Sequence, residues 1–387
     1  MSRLARKTLE KVKEVDKRGA KSKDCHFLFS ISAYVEAYTS PHPRVLATLQ
    51  RSYKSGMETG DIEKAFRSWG VANICAFLAG VRLSQIYISS SKLLEQVLNY
   101  NVNAMYQIFS AFRFTLMHLI GNSETPLDWK TELNSKFMSG SGPSNLDPSE
   151  TLVASRFYWG RIQLAYYFRE IEIAAKMIKP LRALKKVDIV FVYTTVQFYF
   201  SGLVSVGLAR KTGKKIHLVP AKKALREMKA IVKNNGANNF HRYLLMKAEI
   251  ASCVSSDVHK TKLAYGEAIS AASKAGFRQD AALGNELAAE YMLSHGDDFW
   301  PSHYFTAAHT FYTDWGALAK ADHLMKLWRS FINPRFVQSL STETKCLSSG
   351  EETAIHKCVN LEMLHGKKSL NELFALPKTE KAVANQI

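Results

Sequence analysis

The 387-residue sequence predicts an all-α protein, a solenoid of stacked helical hairpins, and three features carry that expectation. Pro41, Pro43, Pro126, Pro143, Pro148, Pro180, Pro220, Pro301 and Pro334 fall between segments with a helical apolar period. Proline inside a helix costs about 3 kcal/mol, so these positions mark helix boundaries. Long apolar–polar alternation, which a half-buried strand requires, is absent. Between Lys262 and Trp328, Gly276, Gly296 and Gly316 recur every twenty residues, each closing a helix-length segment where a left-handed residue is wanted. Two helices per roughly forty residues is the arithmetic of a hairpin repeat.

Within that region Leu283, Leu287 and Tyr291 step by four along one face, while Tyr304, Ala307, Ala308, Phe311 and Tyr312 form an i, i+3, i+4, i+7, i+8 stripe. Both sets are expected to face the core. A weaker repeat sets Ala5–Leu9 beside Ala221–Leu225, Asp24-Cys25-His26 beside Phe240-His241, and Ser55-Gly56-Met57 beside Ala275-Gly276-Phe277. It predicts that the N-terminal helices are a divergent copy of 221–277. The expected order is an N-terminal helical-repeat subdomain over 1–137, an exposed linker over 138–149, a C-terminal helical subdomain over 150–334, and a polar tail with short helices over 335–387. Asp147-Pro148-Ser149-Glu150 reads as a helix start with proline near N1.

One segment has the length of a membrane span. Residues Ile189 to Ala209 are uncharged and flanked by Lys185, Lys186, Arg210 and Lys211. Thr194, Thr195, Gln197, Ser201 and Ser205 inside it turn the reading to a buried helix, so no stable membrane insertion is expected. The basic N-terminus carries Glu10, Glu14 and Asp16 and no apolar run, which reads as neither signal nor transit peptide, and a cytoplasmic location is expected.

A hydrophobic content of 47% excludes wholesale disorder, and 20 glycines with 10 prolines exclude collagen-like sequence. Five scattered cysteines argue against a disulfide scaffold, and Cys346 and Cys358 with His356 lack the partners of a metal site. Gly207 to Lys215 departs from a phosphate loop: five residues separate Gly207 from Gly213, and Lys215 replaces the hydroxyl that would hold magnesium. It reads as a helix end capped by Gly213. His295, His303 and His309 have no partner at ligand spacing and read as exposed or half-buried. Glu286 and Glu290, one turn apart, could be drawn as an acid/base pair, but they lie off the apolar stripe and read as a solvated or capping face. No catalytic residue, cofactor or metal is expected.

The charge is the remaining signal: 52 Lys+Arg against 34 Asp+Glu give +18. Lys222, Arg226, Lys229 and Lys233 step along one helix opposite Leu225, Met228 and Val232, and Lys185, Lys186, Lys214 and Lys215 lie close by in sequence. These eight are the candidate partner-binding residues. A face of this kind attracts an acidic protein surface, RNA or an anionic membrane surface.

The words Ala275-Gly276-Phe277, Asn285-Glu286-Leu287-Ala288-Ala289-Glu290 and Tyr312-Thr313-Asp314-Trp315-Gly316-Ala317, within 264–324, resemble the tetratricopeptide-like helical region of large signalling proteins. Those proteins carry an AAA-type (STAND-like) ATPase module before that region and GAF and histidine-kinase modules after it. Tyr53 to Asp61, Leu164 to Phe168 and Asn239 to His241 extend the resemblance over about 45–329. The ATPase phosphate loop and the kinase boxes are absent from this sequence. The resemblance therefore implies a tetratricopeptide-like superhelix that acts as a non-catalytic scaffold or regulatory module in signal transduction, with another protein of acidic surface on its concave face. It makes Gly276, Gly296, Tyr312, Trp315 and Gly316 packing and capping residues. The alternatives are a basic helical repeat that binds nucleic acid, or a regulatory fragment acting in trans on a separate ATPase or histidine kinase.

Overall fold

A computed structural model describes residues 24–121, 148–184, 191–233 and 236–332. The tail 335–387, most of the linker 138–149, Lys185, Lys186, and Cys346 with Cys358 lie outside the described residues. All regular structure among the described residues is helical. Helix α1 is Cys25–Ile31, running on through a π-helical turn Ser32–Glu36 to Ala37–Thr39. It is followed by α2 (His42–Thr59), α3 (Ile62–Leu78), α4 (Leu83–Asn99), α5 (Asn103–Ile120), α6 (Pro148–Tyr167), α7 (Ile171–Ala183) and α8 (Phe191–Thr212). After a 3-10 turn Lys215–His217 come α9 (Leu218–Val232), α10 (Phe240–Val254), α11 (Val258–Lys274), α12 (Arg278–Leu293), α13 (Trp300–Trp315) and α14 (Leu318–Trp328).

The helix ends share one device. Gly276, Gly296 and Gly316 have φ of 81°, 74° and 90°, as their spacing predicts. At each, the next N–H donates to the carbonyl five residues back: Phe277 to Ala272 at 3.0 Å, Asp297 to Met292 at 3.1 Å, Ala317 to Tyr312 at 2.9 Å. This closes the last turn and satisfies carbonyls that would otherwise be orphaned. The same bond follows Asn101 (φ 56°) and Arg169 (φ 64°), where no glycine announces it. Gly213 (φ 69°) ends α8, as read.

The prolines need one correction. Pro43 and Pro301 sit at the second position of α2 and α13, and Pro148 opens α6, where a missing N–H costs nothing. Pro180, however, lies inside α7. The N–H it lacks falls in the final turn, and buried Met177, Ile178 and Leu181 hold that turn in place by packing. The internal repeat also fails at one match, because Gly56 is buried within α2 rather than capping it. A Cβ there would lie 2.8 Å from Cys25 Sγ and 2.9 Å from the Asp61 carbonyl, so its role is close approach, and Gly60 (φ 81°) is the cap. The stripe on α13 is shifted by a residue: Pro301, Phe305, Ala308, Tyr312 and Trp315 are buried, whereas Tyr304 and Phe311 are half-exposed. Leu283, Leu287 and Tyr291 are buried as expected.

The chain divides into two compact units, residues 24–109 and 110–332 of the described part. In the first, α2 packs on α3 and α1 on both. Ser52 Oγ reaches the Cys25 carbonyl at 2.9 Å and Ser68 Oγ at 2.8 Å, joining the three helices through small polar side chains. In the second, each helix from α6 to α14 packs mainly on its sequence neighbour, and alternate helices also touch, α6 with α8, α8 with α10, and α10 with α12. The described part of the apolar segment, 191–209, forms most of α8, and buried Val196, Tyr199, Phe200, Leu203, Val204 and Val206 set it in this row. No helix among the described residues is long and apolar enough to cross a membrane.

Helix α3 passes so close to Phe109 that a Cβ on Gly70 would lie 1.9 Å from Cε1 of that buried ring. Gly70→Ala is therefore expected to destabilise the first unit by about 1–3 kcal/mol despite alanine's better helix propensity, as read by denaturant unfolding.

Candidate functional site

The predicted basic face is present on α9. Leu218, Ala221, Ala224, Met228 and Ile231 form its buried side. Lys222, Arg226, Lys229 and Lys233 are exposed, as are Lys214 and Lys215 in the turn before it. Of the apolar set expected opposite them, Met228 is buried while Leu225 and Val232 are half-exposed. The helix packs through small alanines on a narrower seam than the sequence pattern suggests.

The interior of the second unit holds what the sequence did not reveal. Arg169, Arg210, Arg242 and Lys320 meet Glu249, Asp280, Glu286 and Glu290 in a seam that follows α6, α8, α10 and α12. Glu286, read from sequence as solvated, is fully buried. Its Oε1 accepts from Lys320 Nζ at 2.7 Å, its Oε2 from the Tyr312 hydroxyl at 2.8 Å, and Arg169 Nε lies 4.0 Å away. Glu290 pairs with Arg169 Nη2 and keeps 19% of its side chain open. The periodic reading failed here because 13 of the 16 residues of α12 are buried, so the helix has no solvated side to receive a carboxylate.

Burial disfavours the Glu286 anion, yet Lys320 and Arg169 outweigh it and hold the carboxyl below its ordinary value. Burial pushes the Glu290 carboxyl up, with Arg169 opposing and Glu286 adding to the rise. Asp280 accepts from His241 Nε2 at 2.9 Å and from Arg242 Nε and Nη2 at 2.9 and 2.8 Å. Burial works against this carboxylate as well, but Arg242 and His241 bring it down to about 2. Burial draws His241 down, more than Asp280 raises it, so the imidazole is neutral at pH 7 and donates through Nε2 while stacking on Phe277 at 4.1 Å. Glu249 Oε1 accepts from Arg210 Nη2 at 2.7 Å and from the Tyr265 hydroxyl.

Aromatic rings insulate these charges. Tyr167 meets Phe200, Tyr312 and Trp315 at 5.7, 6.2 and 6.0 Å, and the Arg242 guanidinium lies 5.8 Å from the Tyr199 ring. Tyr312 and Trp315 are fully buried in this packing. The carboxylates are engaged with cations and hydroxyls, and the histidine with Asp280, which is the chemistry of structural pairing. Among the described residues no group of three or more His, Cys, Asp or Glu is arranged to hold a metal ion. His295 and His303 are exposed and His309 is half-buried, in line with their reading.

A second surface was missed by the sequence reading. Phe299 and Trp300, at the start of α13, are 78% and 40% exposed. They meet edge to face at 5.5 Å, and Trp300 stands 6.3 Å from Tyr304. Lys262 Nζ sits 4.2 Å from the Trp300 ring and 3.7 Å from Asp297, whose side chain also accepts the Phe299 and Trp300 N–H groups. The signal was available as Asp297-Asp298-Phe299-Trp300-Pro301, two apolar rings ahead of a first-turn proline. Compared with known protein families and with curated proteins, the chain matches none.

Two outcomes test the buried seam. Lys320→Met strands the Glu286 carboxylate and is expected to cost about 3–5 kcal/mol, with part regained in Lys320→Met/Glu286→Gln, as a double-mutant cycle in denaturant would measure. Acid has a defined effect too. His323, near Lys320, Glu286, Arg169 and Glu170, is drawn down to about 4, first by burial and then by Lys320. A depressed histidine stabilises the fold above its unfolded value of about 6.5 and loses that contribution as pH falls towards 4. His241 acts in the same direction. Asp280 gives a lower window, stability present above 3.8 and lost as pH falls to about 2. The thermal midpoint is expected to drop between pH 7 and 4.5, less steeply in His323→Gln, and to drop again below pH 4.

Proposed function

We propose that the chain is a non-catalytic scaffold of tetratricopeptide-like hairpins that holds another protein within a signalling assembly. The sequence reading set the partner in a concave groove. In the second unit the inner faces of α6, α8, α10 and α12 are filled by their own tyrosines and ion pairs. The surface left for a partner is the outer one, at the α12–α13 turn and the adjoining side of α11.

The observation that carries this reading is the exposure of Phe299 and Trp300 in a fixed geometry. Trp and other aromatic residues dominate the energetics of protein interfaces because they bury large area at little entropic cost. Here Lys262 and Asp297 hold the rings in place before any partner arrives. Preorganisation of this kind lowers the cost of association. The signalling assignment rests on the sequence resemblance and adds no catalytic role.

The test is capture from the native cell at physiological salt with nuclease present, using the full tagged chain and its Phe299→Ser/Trp300→Ala variant. A stoichiometric protein retained by the parent is expected to be lost from the variant, each ring accounting for about 30-fold in affinity, with the circular dichroism unchanged. Identical capture by both chains would sink the assignment of this surface.

A further inference from the structure

We propose that the α8–α9 turn and the exposed side of α9 form a peripheral docking face for anionic membrane, with Ile216 and Val219 entering the interface and the surrounding lysines meeting lipid headgroups. The inference is independent of the partner reading above, because none of its residues belongs to the Phe299–Trp300 surface.

The first observation is an exposed aliphatic pair where none is expected. Ile216, in the 3-10 turn Lys215–His217, is 69% exposed, and Val219, in the first turn of α9, is 59% exposed. The helix is already anchored by Leu218, Ala221, Ala224, Met228 and Ile231 on its other side, and these two side chains lie outside that buried set. Val219, Lys222, Lys223 and Arg226 stand at i, i+3, i+4 and i+7, which places them together on the outer side, and Lys229 and Lys233 continue the line. Glu227, the one acid of α9, is exposed one turn after Lys223 and borders that line on one side.

The second observation is how cations gather round the aliphatic pair. Lys214 and Lys215 flank Ile216 directly and are exposed. The end of α8 meets the start of α7 through Lys211 and Glu172 at 2.9 Å, and Lys176 lies near enough to lower the Glu172 carboxyl together with Lys211. From 211 to 233 the exposed cations Lys211, Lys214, Lys215, Lys222, Lys223, Arg226, Lys229 and Lys233 face Glu227 as the one acid of that stretch.

The residue types choose the ligand. Nucleic acid without sequence preference is held by aromatic stacking as well as charge, and 211–233 contains no Phe, Tyr or Trp. Protein interfaces are depleted in lysine and enriched in arginine, whereas this face has seven lysines from 211 to 233 and one arginine beyond Arg210, which is committed to Glu249. Lysines around small aliphatic side chains suit a disordered plane of anionic headgroups over an apolar layer. Charge and apolar insertion also supply the two signals that stable peripheral attachment requires.

The experiment is co-sedimentation of the full chain with phosphatidylcholine vesicles, with and without about 30 mole per cent phosphatidylserine, near physiological salt. Binding to the anionic vesicles alone is expected. Removing a basic residue weakens such binding about fivefold, so Lys222→Gln/Lys223→Gln/Arg226→Gln should lose about 100-fold. Ile216→Ser/Val219→Ser, which leaves every charge in place, should lose about tenfold. Both variants alter exposed residues only, and unchanged circular dichroism confirms their fold. Absence of binding, or equal binding to neutral vesicles, overturns the proposal. So does an Ile216→Ser/Val219→Ser variant that sediments like the parent while single-stranded RNA displaces both, since the face would then recognise polyanions without a lipid phase.

Discussion

The second unit depends on one pairing, Arg169 with Glu290 and Glu286. It joins the end of α6 to the middle of α12 across 121 residues of sequence. Arg169 makes it from left-handed backbone, φ 64°, at a position built like the glycine caps elsewhere in the chain. A side chain there costs of order 1 kcal/mol, and glycine would remove that strain. Glycine would also take the paired cation from the half-buried Glu290 and leave buried Glu286 with Lys320 alone, a larger loss. The magnitudes explain why the strained residue is arginine.

Once Arg169 fixes α6 against α12, α12 becomes the element on which the others register. Asp280 faces α10, Glu286 faces α13 and α14, and Glu290 faces the end of α6. Moving α12 by one turn would substitute one small apolar residue for another at many contacts, at little cost. It would separate three carboxylates from their donors, and each unpaired buried charge is far more expensive. The apolar contacts make the unit compact, while the ion pairs decide which compact arrangement it takes. Gly284 contributes by close approach, since a Cβ there would come within 3.0 Å of Ile269 on α11.

The helical class, the left-handed glycines and the burial of the apolar segment over 193–209 were legible because each depends on local chemistry. Glycine at a cap, proline at a boundary and polar residues within an apolar run mean much the same in any surroundings. Glu286, Pro180 and the Tyr304 stripe were misjudged for the opposite reason. A glutamate off an apolar stripe is solvated only if the helix has a solvated side, and α12 has almost none. Whether it does is settled by how α10, α11 and α13 pack around it, which the sequence of α12 alone does not show. The basic face was legible because exposed charge obeys composition, but the aliphatic pair within it was not, since Ile216 and Val219 look like core residues until the buried side of α9 is known to be complete without them.

Four cations and four carboxylates leave the described seam neutral, so the +18 excess of the chain resides elsewhere. That separates the tasks of interior and exterior. Inside, charges are paired, shielded by tyrosines and insensitive to salt, and they determine shape. Outside, the lysines of α9 act through an unshielded field that salt weakens, which makes them suited to reversible attachment rather than to stability. Phe299 and Trp300 have no such dependence, because their contribution scales with area removed from water. Under the two proposals, ionic strength would affect attachment through the lysine face far more than partner binding through the two aromatic rings.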